Sequence, residues 1–175
     1  MQPTVVYTVG HSTRTSDAFI ALLQAHAVTS LADVRTVPRS RHNPQFNGDT
    51  LAASLAANGM GYVRFPGLGG FRRTSPASPN AGWRNLSFRG YADYMQTPAF
   101  AENLDMLLTL ANEETVAVMC AEAVPWRCHR SLIADALVVR GIRAEEIASE
   151  KKTAAHQLTP FARVEGMTIT YPALT

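Results

Sequence analysis

Cysteine, lysine and long apolar runs are all scarce in this sequence, and each scarcity closes off a class of protein. Only two cysteines occur, Cys120 and Cys128, which is too few for a disulfide-stapled scaffold. Apolar residues make up 46% of the 175 positions, enough to bury a core without metal or disulfide. No stretch approaches the ~18 apolar residues of a membrane helix. The start, Met1-Gln-Pro-Thr-Val-Val-Tyr7, has no basic n-region and no small-residue cleavage site, so no secretory signal is expected. A cytosolic protein with no membrane partner is the expectation, and there thiols stay reduced. The length fits a single domain, residues 1–175.

Lysine is replaced by arginine, two against fourteen, and acids are nearly missing from one segment. Between Arg35 and Arg89 stand eight arginines (35, 39, 41, 64, 72, 73, 84 and 89) and one acid, Asp49. That segment therefore carries +7, and since the whole chain is +2 the remainder carries −5. Base composition is one explanation for arginine over lysine, but it does not explain the missing acids. Guanidinium groups bind phosphate and carboxylate through two parallel hydrogen bonds, so the clustering points to an anionic ligand.

The patterning alternates strands and helices. Thr4–Val9 reads as a buried strand ended by Gly10, followed by a helix capped by Ser16 with Phe19, Ile20, Leu23 and Ala27 on its inner face. Strands are expected at Val28–Val34, Tyr62–Phe65, Thr115–Cys120 and Ile142–Ala148. Helices are expected at Asp49–Ala57, from Thr97-Pro98 and from His129. The glycine-, proline- and arginine-rich stretch Pro66–Gly90 fits no regular element, and Glu165-Gly166 suits the turn of a C-terminal hairpin. This predicts an α/β fold: a three-layer domain with a mostly parallel sheet flanked by helices, and a possible C-terminal hairpin. Ligands of such sheets bind beyond the carboxyl ends of the strands, where Gly10-His11-Ser12, Asp33-Val34-Arg35 and Cys120-Ala121-Glu122 fall.

Cys120 ends the most strand-like run and faces the start of a helix at His129-Arg130, a setting that favours a thiolate or a bound anion. Arg127, His129 and Arg130 add positive charge. The arrangement resembles the cysteine loops of tyrosine phosphatases and rhodaneses. Six residues separate Cys120 from Arg127 where the phosphatase loop has five, no glycine lets the backbone curl, and Pro125 removes an N–H. Against the nucleophile stands a small buried hydrophobe, the common state of an intracellular cysteine. Pairing of Cys120 with Cys128 is a further option, without the tight C-x-x-C spacing. His11 reads as an acid/base group or as a loop histidine bonding a carbonyl. Asp33 reads as an orienting group or as the partner of an internal arginine pair. Gly67-Leu-Gly-Gly70 lacks the spacing and lysine of a Walker loop. Trp83, Phe88, Tyr91 and Tyr94 either stack on bases or seal a loop onto the core. Cys120, Glu122, Cys128, His129, His11 and His42 are zinc-ligand types, but only Cys128-His129 are close, and adjacent helical residues diverge by ~100°. No metal site is expected, and no cofactor is required by the sequence.

Gly-His-Ser-Thr-Arg at 10–14, Asp-Val-Arg at 33–35, Pro-Arg-Ser-Arg at 38–41, Leu-Gly-Gly at 68–70, Arg-Gly-Tyr-Ala-Asp-Tyr-Met at 89–95, Met-Cys-Ala-Glu-Ala-Val-Pro-Trp-Arg-Cys-His-Arg at 119–130 and Leu-Thr-Pro-Phe-Ala at 158–162 resemble the domain-of-unknown-function 488 family. Glu146 departs from that pattern, standing where a histidine is expected after the last helix. The resemblance brings no settled activity, though some members bear a DNA-repair label. It implies one pocket built from His11, Ser12, Asp33, Arg35, Arg39, Arg41, Cys120, Glu122, Arg127, Cys128, His129 and Arg130.

Three functions follow as expectations. The first is an enzyme on a phosphate-bearing substrate, a nucleotide or nucleic-acid fragment. Cys120 is its nucleophile or anchor, and Glu122, His11 and His129 are its other catalytic candidates. Ser12, Asp33, Arg35, Arg39, Arg41, Arg127, Cys128 and Arg130 bind the substrate. The second is a non-catalytic nucleic-acid-binding module, and the third a thiol redox or metal-dependent sensor.

Overall fold

The structure, a computed structural model, describes residues 5–173. The first strand, β1 (Val5–Gly10), forms as expected, although Thr4 lies outside the described residues. The remaining strands of the main sheet are β2 (Ser30–Asp33), β3 (Gly61–Arg64), β4 (Val116–Cys120), β5 (Arg143–Ser149) and β6 (Lys152–Ala155). Their order is β3-β2-β4-β1-β5-β6; the first five run parallel, and β6 adds antiparallel to β5 at the edge. A separate antiparallel hairpin, β7 (Arg163–Glu165) and β8 (Thr168–Thr170), turns at Gly166 with φ 64°.

Five helices complete the three layers. Helices α1 (Ser16–Ala25) and α2 (Gly48–Ala56) cover one face, where Phe19, Leu23, Leu51 and Leu55 pack on Val9, Leu31, Ala117 and Met119. Helices α3 (Leu86–Met95), α4 (Pro98–Glu113) and α5 (Arg130–Val139) cover the other. Tyr91, Leu104, Leu107, Leu132 and Ile133 there meet Val6, Ala32, Val116 and Val118. Helix α1 is capped by Thr15, whose hydroxyl accepts from Ala18 N–H, and not by Ser16; it ends before Ala27, which takes φ 57°.

Two elements differ from the sequence reading. Helix α3 begins inside the stretch taken as irregular, capped by the Asn85 side chain, which accepts from Ser87 and Phe88 N–H. Its Gly90 permits a close approach, since a Cβ there would lie 2.0 Å from the Arg72 carbonyl oxygen. Asp93 on α3 then accepts from Ser75 N–H, the Ser78 hydroxyl and the Asn80 amide, anchoring the long loop. Burial alone would raise the Asp93 pKa, but these bonds outweigh it and hold the carboxyl below its ordinary value. The second addition is β6, whose Lys-Thr-Ala-Ala has little strand character and forms only against β5.

Topology fixes where the site must be. Strand β1 leads through α1 past β4 to β2, whereas β4 leads through α5 past β1 to β5. The two neighbours thus send their chains in opposite directions and open a crevice between them. Gly10 pairs in register with Cys120, and Asp33 with Met119, so the three polar strand ends lie side by side.

Candidate functional site

Beyond the strand ends lies a cavity of about 460 Å³, within the ~300–1,000 Å³ of small-molecule sites. Of the residues singled out from the sequence, Cys120, Glu122, His129, Arg35, Arg39, Arg127 and Cys128 line it. Gly70 of the glycine turn and two of the weighed aromatics, Phe88 and Tyr91, line it too, while Thr36, Val37, Phe71 and Ser87 also line it and escaped the sequence reading. His11, Ser12, Asp33, Arg41 and Arg130 are not on its wall.

Arg130 is the clearest case of a residue placed elsewhere. It is fully buried, and each of its five N–H groups has an acceptor inside the protein. Nε and Nη2 donate to the two Glu146 carboxylate oxygens at 3.0 and 2.9 Å. Nη1 donates to Cys120 Sγ at 2.7 Å and to the Glu122 carbonyl, and Nη2 also reaches the Ala123 carbonyl at 3.0 Å. Glu146 stands beside Thr8 in the β1–β5 register and accepts from its hydroxyl at 2.7 Å. A buried cation thereby shapes the loop after Cys120 from below and keeps no donor for a ligand. Glu146 is this cation's counter-ion.

The loop's peptide groups follow. The carbonyls of Cys120 and Ala121 accept from His11 and Ser12 N–H, and those of Glu122 and Ala123 accept from Arg130. In a trans peptide the N–H points opposite to the C=O. The N–H groups of residues 121–124 are therefore turned away from β1 and Arg130, and Val124 N–H donates to the Glu122 carboxylate at 3.4 Å. A 3-10 turn at Pro125–Arg127 then presents Trp126 and Arg127 outward before α5 begins. Gly10 makes this packing possible: a Cβ there would lie 1.9 Å from the Glu122 carbonyl oxygen.

The sulfurs of Cys120 and Cys128 meet across the wall as a pair, and neither thiol stands free. Both residues are buried, although both touch the cavity. Their Cα atoms are 7.4 Å apart, wider than the ~4.4–6.8 Å of ordinary disulfides. A nucleophilic Cys120 needs the open, reduced form.

On the other side, Asp33 and Arg35 form the internal ion pair weighed as an alternative. Arg35 Nε and Nη2 donate to the Asp33 oxygens at 2.9 and 2.7 Å, and the Arg35 backbone N–H and the Tyr62 hydroxyl also donate to that carboxylate. Arg35 Nη1 lies 3.5 Å from His11 Nε2, while His11 Nδ1 is 2.8 Å from the Ser12 carbonyl. Arginine is always a donor, so Nε2 is the acceptor and Nδ1 carries the proton. His11 is 2% exposed, stacks on Phe46 and has its pKa lowered, chiefly by burial. It therefore orients Arg35 as a neutral ring and touches nothing in the cavity.

His129 does face the cavity. Its Nε2 is 3.2 Å from the Val34 carbonyl and its Nδ1 is 3.7 Å from Cys128 Sγ. Burial, with Arg130 and Arg72 adding to it, pushes its pKa down to about 4. The unfolded value is near 6.5, so between pH 6.5 and 4 the unfolded chain binds a proton that the native ring refuses. Stability is full above pH 6.5 and declines as pH falls through that window, with His11 acting in the same direction. Denaturant unfolding should show a loss on the order of 2 kcal/mol attributable to His129 between pH 7.5 and 5. His129→Gln should flatten the profile by that amount; an unchanged slope would mean that His129 is not the neutral buried ring described.

The eight arginines of the basic segment divide evenly. Arg35, Arg64, Arg72 and Arg89 brace the fold, the last three by donating to backbone carbonyls of residues 35 and 36, 66 and 69, and 81 and 83. Arg39, Arg41, Arg73 and Arg84 have no protein partner among the described residues. Of these four, only Arg39 lines the cavity. The glycine turn is a packing junction: the Gly67 and Leu68 carbonyls accept from the Tyr94 and Tyr91 hydroxyls. Trp83 packs on Phe88, Phe161 and Tyr171. Trp83, Tyr91 and Tyr94 therefore seal the long loop and are not free to stack on bases, while Phe88 does both, packing on Trp83 and lining the cavity. Among the described residues no three His, Cys, Asp or Glu side chains converge as metal ligands, and no helix is long and apolar enough to cross a membrane.

Compared with known families, residues 15–137 match the one described as Domain of unknown function DUF488. The chain belongs to the DUF488 family. The matched span takes in the Asp33–Arg35 pair, the glycine turn, α3 and the whole Cys120–Arg130 loop. Two supports of this DUF488 site, His11 on the β1 side and Glu146 on β5, fall outside that span. No curated protein and no solved structure matches the chain.

Sequence reading missed one further buried group. Asp135, on α5, is fully buried and accepts from His156 Nε2, Thr159 N–H, the Thr159 hydroxyl and the Tyr171 hydroxyl at 2.7–3.1 Å. It fastens the C-terminal segment to the helix that carries Cys128, His129 and Arg130 near its start. An acid in the otherwise apolar run Ile133-Ala-Asp-Ala-Leu137 was the available signal.

Proposed function

We propose that this DUF488 protein is an enzyme that holds a phosphate-bearing substrate, a nucleotide or nucleic-acid fragment, in the cavity beyond β1 and β4. One observation carries the reading: Arg35, Arg39 and Arg127 converge on a concave wall where Glu122 is the single acid. Arg39 and Arg127 are exposed, without ion pairs among the described residues, and bring uncommitted fork-shaped donors. Arg35 adds the N–H groups that Asp33 and His11 leave over. Cys120, when reduced, is the nucleophile or a polar anchor, and Glu122 is the acid/base group within reach of a bound ligand.

A thermal-shift titration of wild type and Arg127→Ala tests this, with phosphate, sulfate, mononucleotides and a short single-stranded oligonucleotide as ligands. A ligand at about 100 times its Kd stabilises by ~2.7 kcal/mol, which for a chain of this size raises Tm by roughly 5–10 °C. The expected result is a rise with phosphate or mononucleotides that Arg127→Ala largely removes. Stabilisation by the oligonucleotide alone, abolished by salt, favours a binding module without chemistry. Silence from every ligand favours thiol chemistry, for which the meeting of the Cys120 and Cys128 sulfurs speaks directly.

A further inference from the structure

Phe71 is the most exposed large apolar side chain among the described residues, 85% accessible, and it lies on the cavity wall. Its backbone takes φ 57°, the left-handed region that disfavours a bulky side chain. An aromatic ring displayed to water on a disfavoured backbone is doubly unfavourable for folding. Strain of this kind gathers where a ligand is handled, and here an observed outlier motivates the inference.

The chain holds Phe71 in that position from both sides. The Thr36 hydroxyl donates to the Gly70 carbonyl at 3.1 Å. Arg72 donates to the Gly69 and Pro66 carbonyls, while its guanidinium sits 3.7 Å over the Tyr94 ring. The loop is pinned without any help from the Phe71 ring, which leaves the ring free to meet a ligand. Val37, 56% exposed, and Phe88 extend the same wall in apolar surface, with Arg39 and Arg127 also on the lining. A cavity with cations and a free aromatic face suits a ligand with an anionic head and a flat body.

We infer that Phe71 is the stacking platform for an unpaired nucleobase, and that the cavity takes a nucleotide whose phosphate meets Arg39 and Arg127. This rests on the phosphate-binding reading above and adds the base to it. A base inside a duplex has both faces covered by its neighbours and offers none to Phe71. The occupant is therefore a free nucleotide or a nucleotide of a single strand, which share the same chemistry.

Calorimetric titration at fixed ionic strength separates the possibilities. The probes are inorganic phosphate, ribose 5-phosphate, adenosine and uridine monophosphates, phenyl phosphate, and single- and double-stranded oligonucleotides, each on wild type, Phe71→Ala and Phe71→Trp. Phe71 is exposed, so truncation leaves the core intact, and Phe71→Gly serves as a second truncation that also relieves the backbone. The expected result is that nucleoside monophosphates bind more tightly than ribose 5-phosphate. Phe71→Ala and Phe71→Gly should weaken them roughly 5- to 150-fold, the range of one base–aromatic stack, and leave phosphate unchanged. Phe71→Trp should retain the affinity, and the single strand should outcompete the duplex. Equal binding of phosphate and nucleotides, indifferent to Phe71, overturns the base assignment and leaves the anion reading standing. Phenyl phosphate binding as tightly as the nucleotides overturns it in favour of an aryl phosphate. A loss shared by phosphate and nucleotides overturns it too, because the ring would then be shaping the cavity. Failure of every anion to bind removes the underlying reading as well.

Discussion

Glu146→Ala is expected to destabilise the protein by about 3–5 kcal/mol, the usual effect of removing one partner of a buried ion pair. The magnitude follows from what remains. Arg130 has no exposed surface, and its guanidinium would keep only two carbonyls and a sulfur for five N–H groups. The Thr8 hydroxyl loses its acceptor at the same time. Glu146→Gln keeps the shape and one acceptor oxygen, so it should fall between wild type and alanine. Replacing the whole pair, as in Arg130→Met with Glu146→Leu, removes the uncompensated charge and should recover part of the loss. Recovery will be incomplete, because the Glu122 and Ala123 carbonyls then lack their donor. Calorimetric unfolding of the three variants measures this, with a Tm drop of roughly 6–20 °C expected for the alanine variant. A drop below about 1 kcal/mol would mean that Arg130 reaches water or another acceptor, and that it does not support the loop as described.

Gly10→Ala adds a single methyl group and is expected to destabilise by about 3 kcal/mol, at the upper end of overpacking effects. The new Cβ would stand 1.9 Å from the Glu122 carbonyl oxygen and 3.0 Å from the Ala123 Cα. Both are backbone atoms, so no side chain can turn aside. Either β1 shifts against β4, or the loop lifts away from Arg130 and loses the two carbonyl bonds beneath it. Gly61→Ala supplies the comparison. Its Cβ would meet the Ser30 hydroxyl at 3.1 Å, a group that can rotate, so its effect should be much smaller. Urea unfolding gives the stability change, and phosphate titration reports whether the loop has moved. A Gly10→Ala protein as stable as Gly61→Ala, with ligand binding intact, would contradict the close packing of the two strand ends.

What the sequence made legible was governed by periodicity. Strands β1, β2, β4 and β5 and helices α1, α4 and α5 are apolar runs with clear stops, so the parallel sheet and the position of the crevice could be read from them. Cys120, Glu122, Arg127, Cys128 and His129 followed, because they sit at a strand end or in the loop after it. Helix α3 was hidden because Leu86 is exposed and Gly90 interrupts its pattern; the glycine is required by the Arg72 backbone and not by the helix. The role of Arg130 was hidden for another reason. Its partner Glu146 is 16 residues away on a strand two places across the sheet, and it takes the β1–β5 and β1–β4 registers together to bring Thr8, Glu146 and Cys120 under one guanidinium. Phe71 and Val37 belong to loops, where no repeat signals which side chain meets a ligand.

The strand order also bears on how the chain is made. Strand β1 emerges first among the described elements, yet both of its neighbours in the sheet, β4 and β5, begin more than a hundred residues later. At translation rates of ~5–20 residues per second, β1 waits roughly 5–20 s for its first partner. During that interval the β1 backbone has no neighbouring strand to pair with. Only β2 and β3 are able to pair early, and they form the outer edge of the sheet rather than its centre. The crevice that holds the site can accordingly close only once β4 has emerged to take its place between β2 and β1 and bring the Cys120 loop to Gly10.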